Sequence, residues 1–373
     1  MSSGNYPVDA FYVAPSVGFD VLPGALLRYR SAALPTLGRP YQAWQLVYAS
    51  RTGRHSPIPA SGIVVAPPTP GPDSAVAVYC PPFRGLGGRC APSQVFTDAA
   101  PDPDLRAVSA ALERGWIVAV PDGQCLGVTG LGPHTFLAGT DAAHTVLDLA
   151  RAARTIPDLD AAGAPCVIWG YADGGRAAVW AAESQPRYAP ALDLRGVAAG
   201  AVVADPGGLV PRLDRGPWSG LVLAGLIGLS HAYSHLTIDH LFTTGATAAI
   251  AHASGLDAGQ ILDSFRDHRL ATWCTRADPW NDHRWQYVLT SEATGAQIPA
   301  VPVHLYHGSA DALIPVEMGQ QLYAEYRLMG AEATWRDYDT GHTGTAVAGA
   351  ADALDQLTED LNHLPGHPRP PAA

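Results

Sequence analysis

Trp169-Gly170-Tyr171-Ala172-Asp173-Gly174-Gly175 decides how this chain reads. A short apolar run, Cys166–Trp169, precedes it, and an Ala-rich stretch, Gly174–Glu183, follows with the composition of a helix. A strand that turns sharply into a helix between closely spaced glycines is the local architecture of a nucleophile elbow. The glycines are needed because the turn is tight and packs against its neighbours. The central residue is held in strained backbone geometry with its side chain above the sheet. Here that residue is Ala172, which has no hydroxyl to attack a carbonyl.

Outward from this point the pattern alternates. Strand-like runs occupy Ala43–Tyr48, Gly62–Ala66, Ala75–Cys80, Trp116–Pro121, Gly196–Val203, Val303–Tyr306 and Ala333–Tyr338. Between them Thr140–Arg154 carries Ala143, Val146, Leu147 and Ala150 at helical spacing, and Gln320–Met329 and Leu354–Leu361 also read as helices. Continuous apolar runs such as Trp116–Pro121 suit strands covered on both faces, so a mostly parallel sheet with helices on both sides is expected. The alternation breaks from Asp205 to about Trp285, which is read as an inserted, mainly helical cap, residues 205–285. The core is then residues 1–204 and 286–363, and the Pro-rich tail, residues 364–373, has the composition of disordered chain.

Composition narrows the function classes. The chain has 373 residues, of which 47% are hydrophobic and 15% charged, enough for a sizeable core. Its formal net charge is −11, and every one of the 23 basic residues is arginine. Such a surface offers little to nucleic acid or an anionic membrane face. The N-terminal stretch has neither a basic region nor an apolar core of the signal-peptide kind. The most apolar segment, Trp218–Leu229, is too short to span about 30 Å of hydrocarbon, so no stable membrane insertion is expected. His231, His235 and His240 lie close together but match no zinc signature, and no metal or cofactor is expected. The five cysteines form no CxxC pair; Cys80 and Cys166 sit in apolar runs, whereas Cys90 and Cys274 lie in polar, loop-like contexts that leave pairing open.

Partners for the elbow are found downstream, in the order nucleophile, acid, base used by α/β-hydrolases. Asp311 follows the strand Val303–Tyr306, where an orienting carboxylate belongs, and His342 follows the last strand on a Gly-His turn. Asp337 and Asp339 compete for the acid's place, but Asp337 falls within a strand pattern. One oxyanion N–H is expected from Asp173 and the other from the Gly-rich loop after Cys80, which does not match GxGxxG and so is no dinucleotide site.

With these elements the chain resembles the secretory lipase (LIP) family of actinobacteria and fungi, which includes the yeast lipase A type. The resemblance is carried by Asp9-Ala10-Phe11-Tyr12, Pro23-Gly24, Gly88-Arg89 with the tetrapeptide Cys90-Ala91-Pro92-Ser93, Asp122, Leu126-Gly127, Leu147-Asp148, the elbow, Ala178…Trp180-Ala181-Ala182-Glu183, Asp311 and His342. It implies an α/β-hydrolase fold and a serine carboxylic-ester hydrolase that works through an acyl-enzyme. By position Ala172 stands at the nucleophile, Asp311 at the acid and His342 at the base, while Asp173 with Arg84 or Gly85 supplies the oxyanion N–H groups. Tyr171, Trp218, Leu221 and Leu226, with the Trp273–Trp285 segment, are expected to line an apolar pocket for a small ester or lipid-like substrate. The resemblance further implies a Cys90–Cys274 disulfide and an exported protein, with a cytoplasmic one as the alternative. Ala172 leaves two readings: a serine replaced with the pocket left intact, or a natural alanine in a binding, acyltransferase or cyclase-like member. In both, ester hydrolysis through a covalent intermediate falls by a factor on the order of 10⁶ without the hydroxyl.

Overall fold

A computed structural model describes residues 9–71 and 74–363; the tail at 364–373 lies outside the described residues. One sheet runs through the molecule. Its strands are β1 (Leu26–Ser31), β2 (Gln42–Arg51), β3 (Pro57–Ala66), β4 (Val76–Cys80), β5 (Ile117–Pro121), β6 (Cys166–Tyr171), β7 (Leu194–Gly200), β8 (Val303–Gly308) and β9 (Ala333–Tyr338). They are ordered β1-β2-β3-β5-β4-β6-β7-β8-β9. The β1–β2, β2–β3 and β3–β5 pairs are antiparallel, and every pair from β5 to β9 is parallel.

The helices are α1 (Pro92–Val95), α2 (Leu105–Leu112), α3 (Gly139–Ala153), α4 (Asp173–Tyr188), α5 (Pro206–Leu213), α6 (Ser219–Ala232), α7 (Ala246–Ala253), α8 (Ala258–Ser264), α9 (His283–Ser291), α10 (Val316–Leu328) and α11 (His342–Asn362). The core lies on both faces of the sheet. Along β6, Val167, Trp169 and Tyr171 join one apolar cluster with α2, α11 and the segment between β7 and β8; Cys166 and Ile168 join the other with α3, α4 and α10. Successive strand side chains point to opposite faces, so a strand covered twice is apolar throughout.

Three departures from the sequence reading have physical causes. β3 begins at Pro57, not Gly62: Pro57 and Pro59 pair only with β2, beyond the reach of β5, which covers Gly62–Val65. A proline's missing N–H is harmless on such an unpaired flank. α11 begins at His342, a full three turns before Leu354, so His342 sits on a helix rather than a free turn. The intervening Gly349 hides the helical pattern, but a Cβ there would lie 2.5 Å from the Tyr306 ring. β1 has no strong alternation because much of it is exposed at the sheet edge.

The segment from α5 to α9 packs over the carboxyl end of the parallel strands. α6 is buried nearly all round, which explains its unbroken apolar sequence. No described helix is long and apolar enough to cross a membrane.

Candidate active site

β6 lies in the middle of the sheet, and its end is where the elbow forms. Ala172 has φ 55° and ψ −116°, backbone geometry that an L-residue adopts only under constraint. Its N–H bonds to the Gly200 carbonyl at 2.9 Å, and its carbonyl accepts from Arg176 N–H at 2.9 Å, so β7 and α4 together hold the turn. A Cβ on Gly174 would lie 2.0 Å from the Cys80 carbonyl oxygen, and one on Gly170 would lie 2.2 Å from that of Gly174. The glycines flanking the elbow are therefore set by contact distance.

Asp311 and His342 come together across the β8 and β9 loops. His342 Nδ1 lies 2.7 Å from Asp311 Oδ2. The other carboxylate oxygen accepts the N–H groups of Leu313 and Ile314, both at 2.9 Å. Burial by itself would raise the Asp311 carboxyl, but hydrogen bonding from His307, His342 and Ile314 outweighs it and holds the group well below the usual carboxylate range. A carboxylate thus stays charged beneath the imidazole and fixes its Nδ1–H tautomer. Tyr171 braces the same ring differently, its hydroxyl donating to the His342 carbonyl at 2.6 Å.

Ala172, Asp173 and His342 line one cavity of about 190 Å³, with Phe83, Leu137, Val203, Leu209, Leu221, Val222 and Ile314 among its other walls. Apart from Asp173 and His342 this lining is apolar. Burial pushes the Asp173 carboxyl up to about 6, with the Arg176 guanidinium opposing weakly.

Several expected residues stand elsewhere. Tyr171 supports His342 and does not line the cavity. Trp218 caps the start of α6 outside it, and Leu226 lines a separate crevice with Trp280 and Trp285. Only the Leu221 face of α6 turns inward, because one side of a helix meets the cavity and the others meet neighbouring helices. Gly85 is not at the cavity either: a Cβ on it would touch the Asp257 and Leu256 backbone at 2.6 Å, and its segment bridges to Asp257. Phe83, one residue before Arg84, occupies the cavity wall. The Arg84 side chain turns away to Asp102 and Asp104, at 2.5 and 2.9 Å, and holds the loop from behind. The disulfide expectation is corrected: all five cysteines are free, and Cys90 Sγ donates instead to the Gly87 carbonyl at 3.1 Å.

Three supporting groups escaped the sequence reading. His307 is fully buried, with Nε2 3.0 Å from the Ile314 carbonyl and 3.5 Å from Asp311 Oδ2. Arg176 and Glu292 form an ion pair at 2.6 Å with side chains 2% and 3% exposed. Glu292 also accepts from Gly139 N–H at 2.7 Å and Tyr233 hydroxyl at 2.8 Å, while Arg176 donates to the Leu137 carbonyl at 2.8 Å and the Val203 carbonyl at 3.2 Å. One buried clamp therefore ties α3, α4, α6 and two cavity walls together. A lone Glu and a lone Arg 116 residues apart give no sequence signal of pairing. The three cap histidines have ordinary partners: His231 Nδ1 contacts the Pro133 carbonyl at 2.7 Å, His240 Nδ1 the Thr237 carbonyl at 2.9 Å with Nε2 3.3 Å from Asp282, and His235 stacks on the Tyr233 ring. Among the described residues no group of His, Cys, Asp and Glu is arranged to hold a metal ion.

Comparison with known proteins follows the same lines. The family described as "Secretory lipase" matches residues 92–367. A probable inactive lipase of Mycobacterium tuberculosis is 29% identical over 94% of this chain and 81% of its own length. Lipase A of Arthroderma benhamiae is 26% identical over 96% of this chain and 74% of its own. The closed-state crystal structure of Candida antarctica lipase A superposes with a TM-score of 0.85, covering 95% of this chain and 86% of that one at 20% identity. That likeness establishes the α/β-hydrolase fold.

Proposed function

Since the chain belongs to the secretory lipase family, we propose that its cavity is a carboxylic-ester hydrolase centre for a small ester or lipid-like substrate, lacking only the nucleophilic oxygen at Ala172. The observation that carries this reading is the His342–Asp311 pair at 2.7 Å, with its imidazole lining the same cavity as a strained elbow residue. A charged Asp311 carboxylate hydrogen-bonded to that imidazole supports the reading, because it fixes the tautomer that a base needs.

With serine at position 172, the hydroxyl attacks the ester carbonyl while His342 Nε2 takes its proton. The tetrahedral oxyanion is held by the N–H of Asp173 and one from the Phe83–Arg84 segment. His342 then passes the proton to the leaving alcohol, and water returns the enzyme by the same route in reverse. The apolar walls accept the acyl chain. In the chain as it stands the first step has no nucleophile, and the cavity binds esters without forming an acyl-enzyme.

Two accounts of Ala172 follow. In one, serine has been replaced in an otherwise intact enzyme; in its favour, the elbow glycines, Asp311 and His342 all keep their geometry. The other is a natural non-catalytic member, and the relative named a probable inactive lipase favours it. Several relatives are named secreted lipases, which supports placing this protein outside the cell.

The test is Ala172→Ser assayed on chromogenic esters from short to long acyl chains. Hydrolysis by that variant alone, abolished again by His342→Ala, is expected. Inactivity of the serine form on every ester, with the fold intact, defeats the hydrolase reading.

A further inference from the structure

The Asp173 carboxylate accepts no hydrogen bond from any described residue, and neither of its oxygens is sealed from a water-sized group. It opens α4 directly after the elbow residue and borders both the 190 Å³ cavity and a smaller space of about 60 Å³ beside it. The residues that share both spaces with it, Pro82, Phe83 and Leu137, present hydrocarbon. Burial pushes the carboxyl up to about 6, which still leaves it charged at neutral pH. The α4 dipole favours a negative charge at this position but supplies no donor to it. A carboxylate held away from bulk water without a partner is costly.

The charges around it leave the site negative. Arg176, one turn further along α4, is engaged by Glu292 at 2.6 Å and forms no ion pair with Asp173 among the described residues. Asp311 beneath His342 carries a further negative charge. The whole chain has a net charge of −11 and no lysine, so its field draws cations toward the cavity and repels anions. Aromatic faces stand at the same place. Phe83 stacks on Phe136 with ring centroids 3.9 Å apart, and both border the larger cavity. A carboxylate beside aromatic rings in a shielded space suits an ammonium group, which donates to the oxygens while the rings attract its charge.

We propose that Asp173 and Phe83 form a cation site, and that the ester taken by this cavity carries an ammonium group close to its carbonyl. The inference rests on the ester-hydrolase reading and names its substrate class. In that reading the Asp173 N–H holds the oxyanion, so the ammonium lies a short linker away from the carbonyl, as in an amino-alcohol ester. The cation has a second use. A bare carboxylate so near the developing oxyanion repels it, and the ammonium cancels that charge before attack.

The chain itself, which lacks a nucleophile, allows binding to be measured without turnover. 2-(Dimethylamino)ethyl butyrate, protonated at pH 7, and 3-methylbutyl butyrate share one shape and differ by N⁺–H in place of C–H. Calorimetric titration at pH 7 is expected to show the ammonium ester binding at least about tenfold tighter, the scale of a hydrogen bond to a charged group. Asp173→Asn keeps the shape of the side chain and removes its charge. It should bring the two esters level and leave the affinity for the neutral ester unchanged, which reports an intact cavity. Equal affinities in the parent overturn the proposal, as does a preference that survives Asp173→Asn. If that variant loses the neutral ester as well, Phe83→Leu decides: it should lower the preference several-fold, and an unchanged preference overturns the proposal. In the Ala172→Ser form the same order is expected in kcat/KM. A serine form inactive on both esters, with the binding preference retained, defeats the hydrolase reading and leaves the cation site standing.

Discussion

Replacing Glu292 by alanine removes the acceptor at the centre of the clamp. The guanidinium of Arg176 then stays buried at 2% exposure without its counter-charge, and the Gly139 N–H and Tyr233 hydroxyl lose their partner. Breaking a buried ion pair from one side costs about 3–5 kcal/mol, because the remaining charge is left unpaired. Unfolding entropy of about 2.1 cal/mol/K per residue amounts to about 0.8 kcal/mol/K for 373 residues. The melting temperature should therefore fall by about 4–6 °C, followed by circular dichroism or calorimetry. The geometry adds a second expectation. Arg176 also holds the Leu137 and Val203 carbonyls, and both residues wall the larger cavity. Ester binding should weaken in parallel, although Glu292 itself lies outside that cavity. The pair Arg176→Met with Glu292→Leu should lose less than the sum of the two single changes, since no charge is stranded. A Glu292→Ala protein that melts within about 1 °C of the parent would refute the clamp.

Three further outcomes are expected. In the Ala172→Ser background, Asp311→Asn should lower ester turnover at neutral pH by about 10⁴-fold, the cost of a mis-set imidazole tautomer; a loss below tenfold removes Asp311 from the acid's role. His144, buried against the Tyr188 ring at 3.7 Å, has its imidazole pushed down to about 4 by burial. Its neutral form is the native one, so it stabilises above the unfolded value near 6.5 and loses that contribution as pH falls toward 4. His144→Phe should gain about 2 kcal/mol relative to the parent between pH 7.5 and pH 5 in urea titrations, and a constant difference across that range would contradict the assignment. Thiol titration of the purified chain should count five reactive groups after unfolding without reductant; three would restore the Cys90–Cys274 bridge.

How much was legible in the sequence depended on how local the cause was. The elbow was readable because strand, Gly-rich turn and Ala-rich helix follow one another along the chain, and Gly170 answers to a contact only four residues away, at Gly174; Gly174 itself answers to the distant Cys80 carbonyl. The central strands were readable because burial on both faces leaves an unbroken apolar run. Asp311 and His342 could be named because each follows its strand directly, where side chains of a parallel sheet emerge at one edge. The walls of the cavity could not. Trp218, Leu221 and Leu226 are equally apolar, yet only Leu221 faces the space, and helix rotation against its neighbours decides that. The same holds for the loop after β4, where Gly85 docks on the Leu256–Asp257 backbone while Phe83 lies at the cavity wall. Glu292 and Arg176 meet only after the segment from α5 to α9 folds back on α4. Covalent neighbours and periodicity therefore determined the sheet, the elbow and its two partners. Which side chains enclose the cavity, and what clamps them, was decided by long-range packing, because a charge or an apolar face carries no mark of its partner until the chain brings the two together.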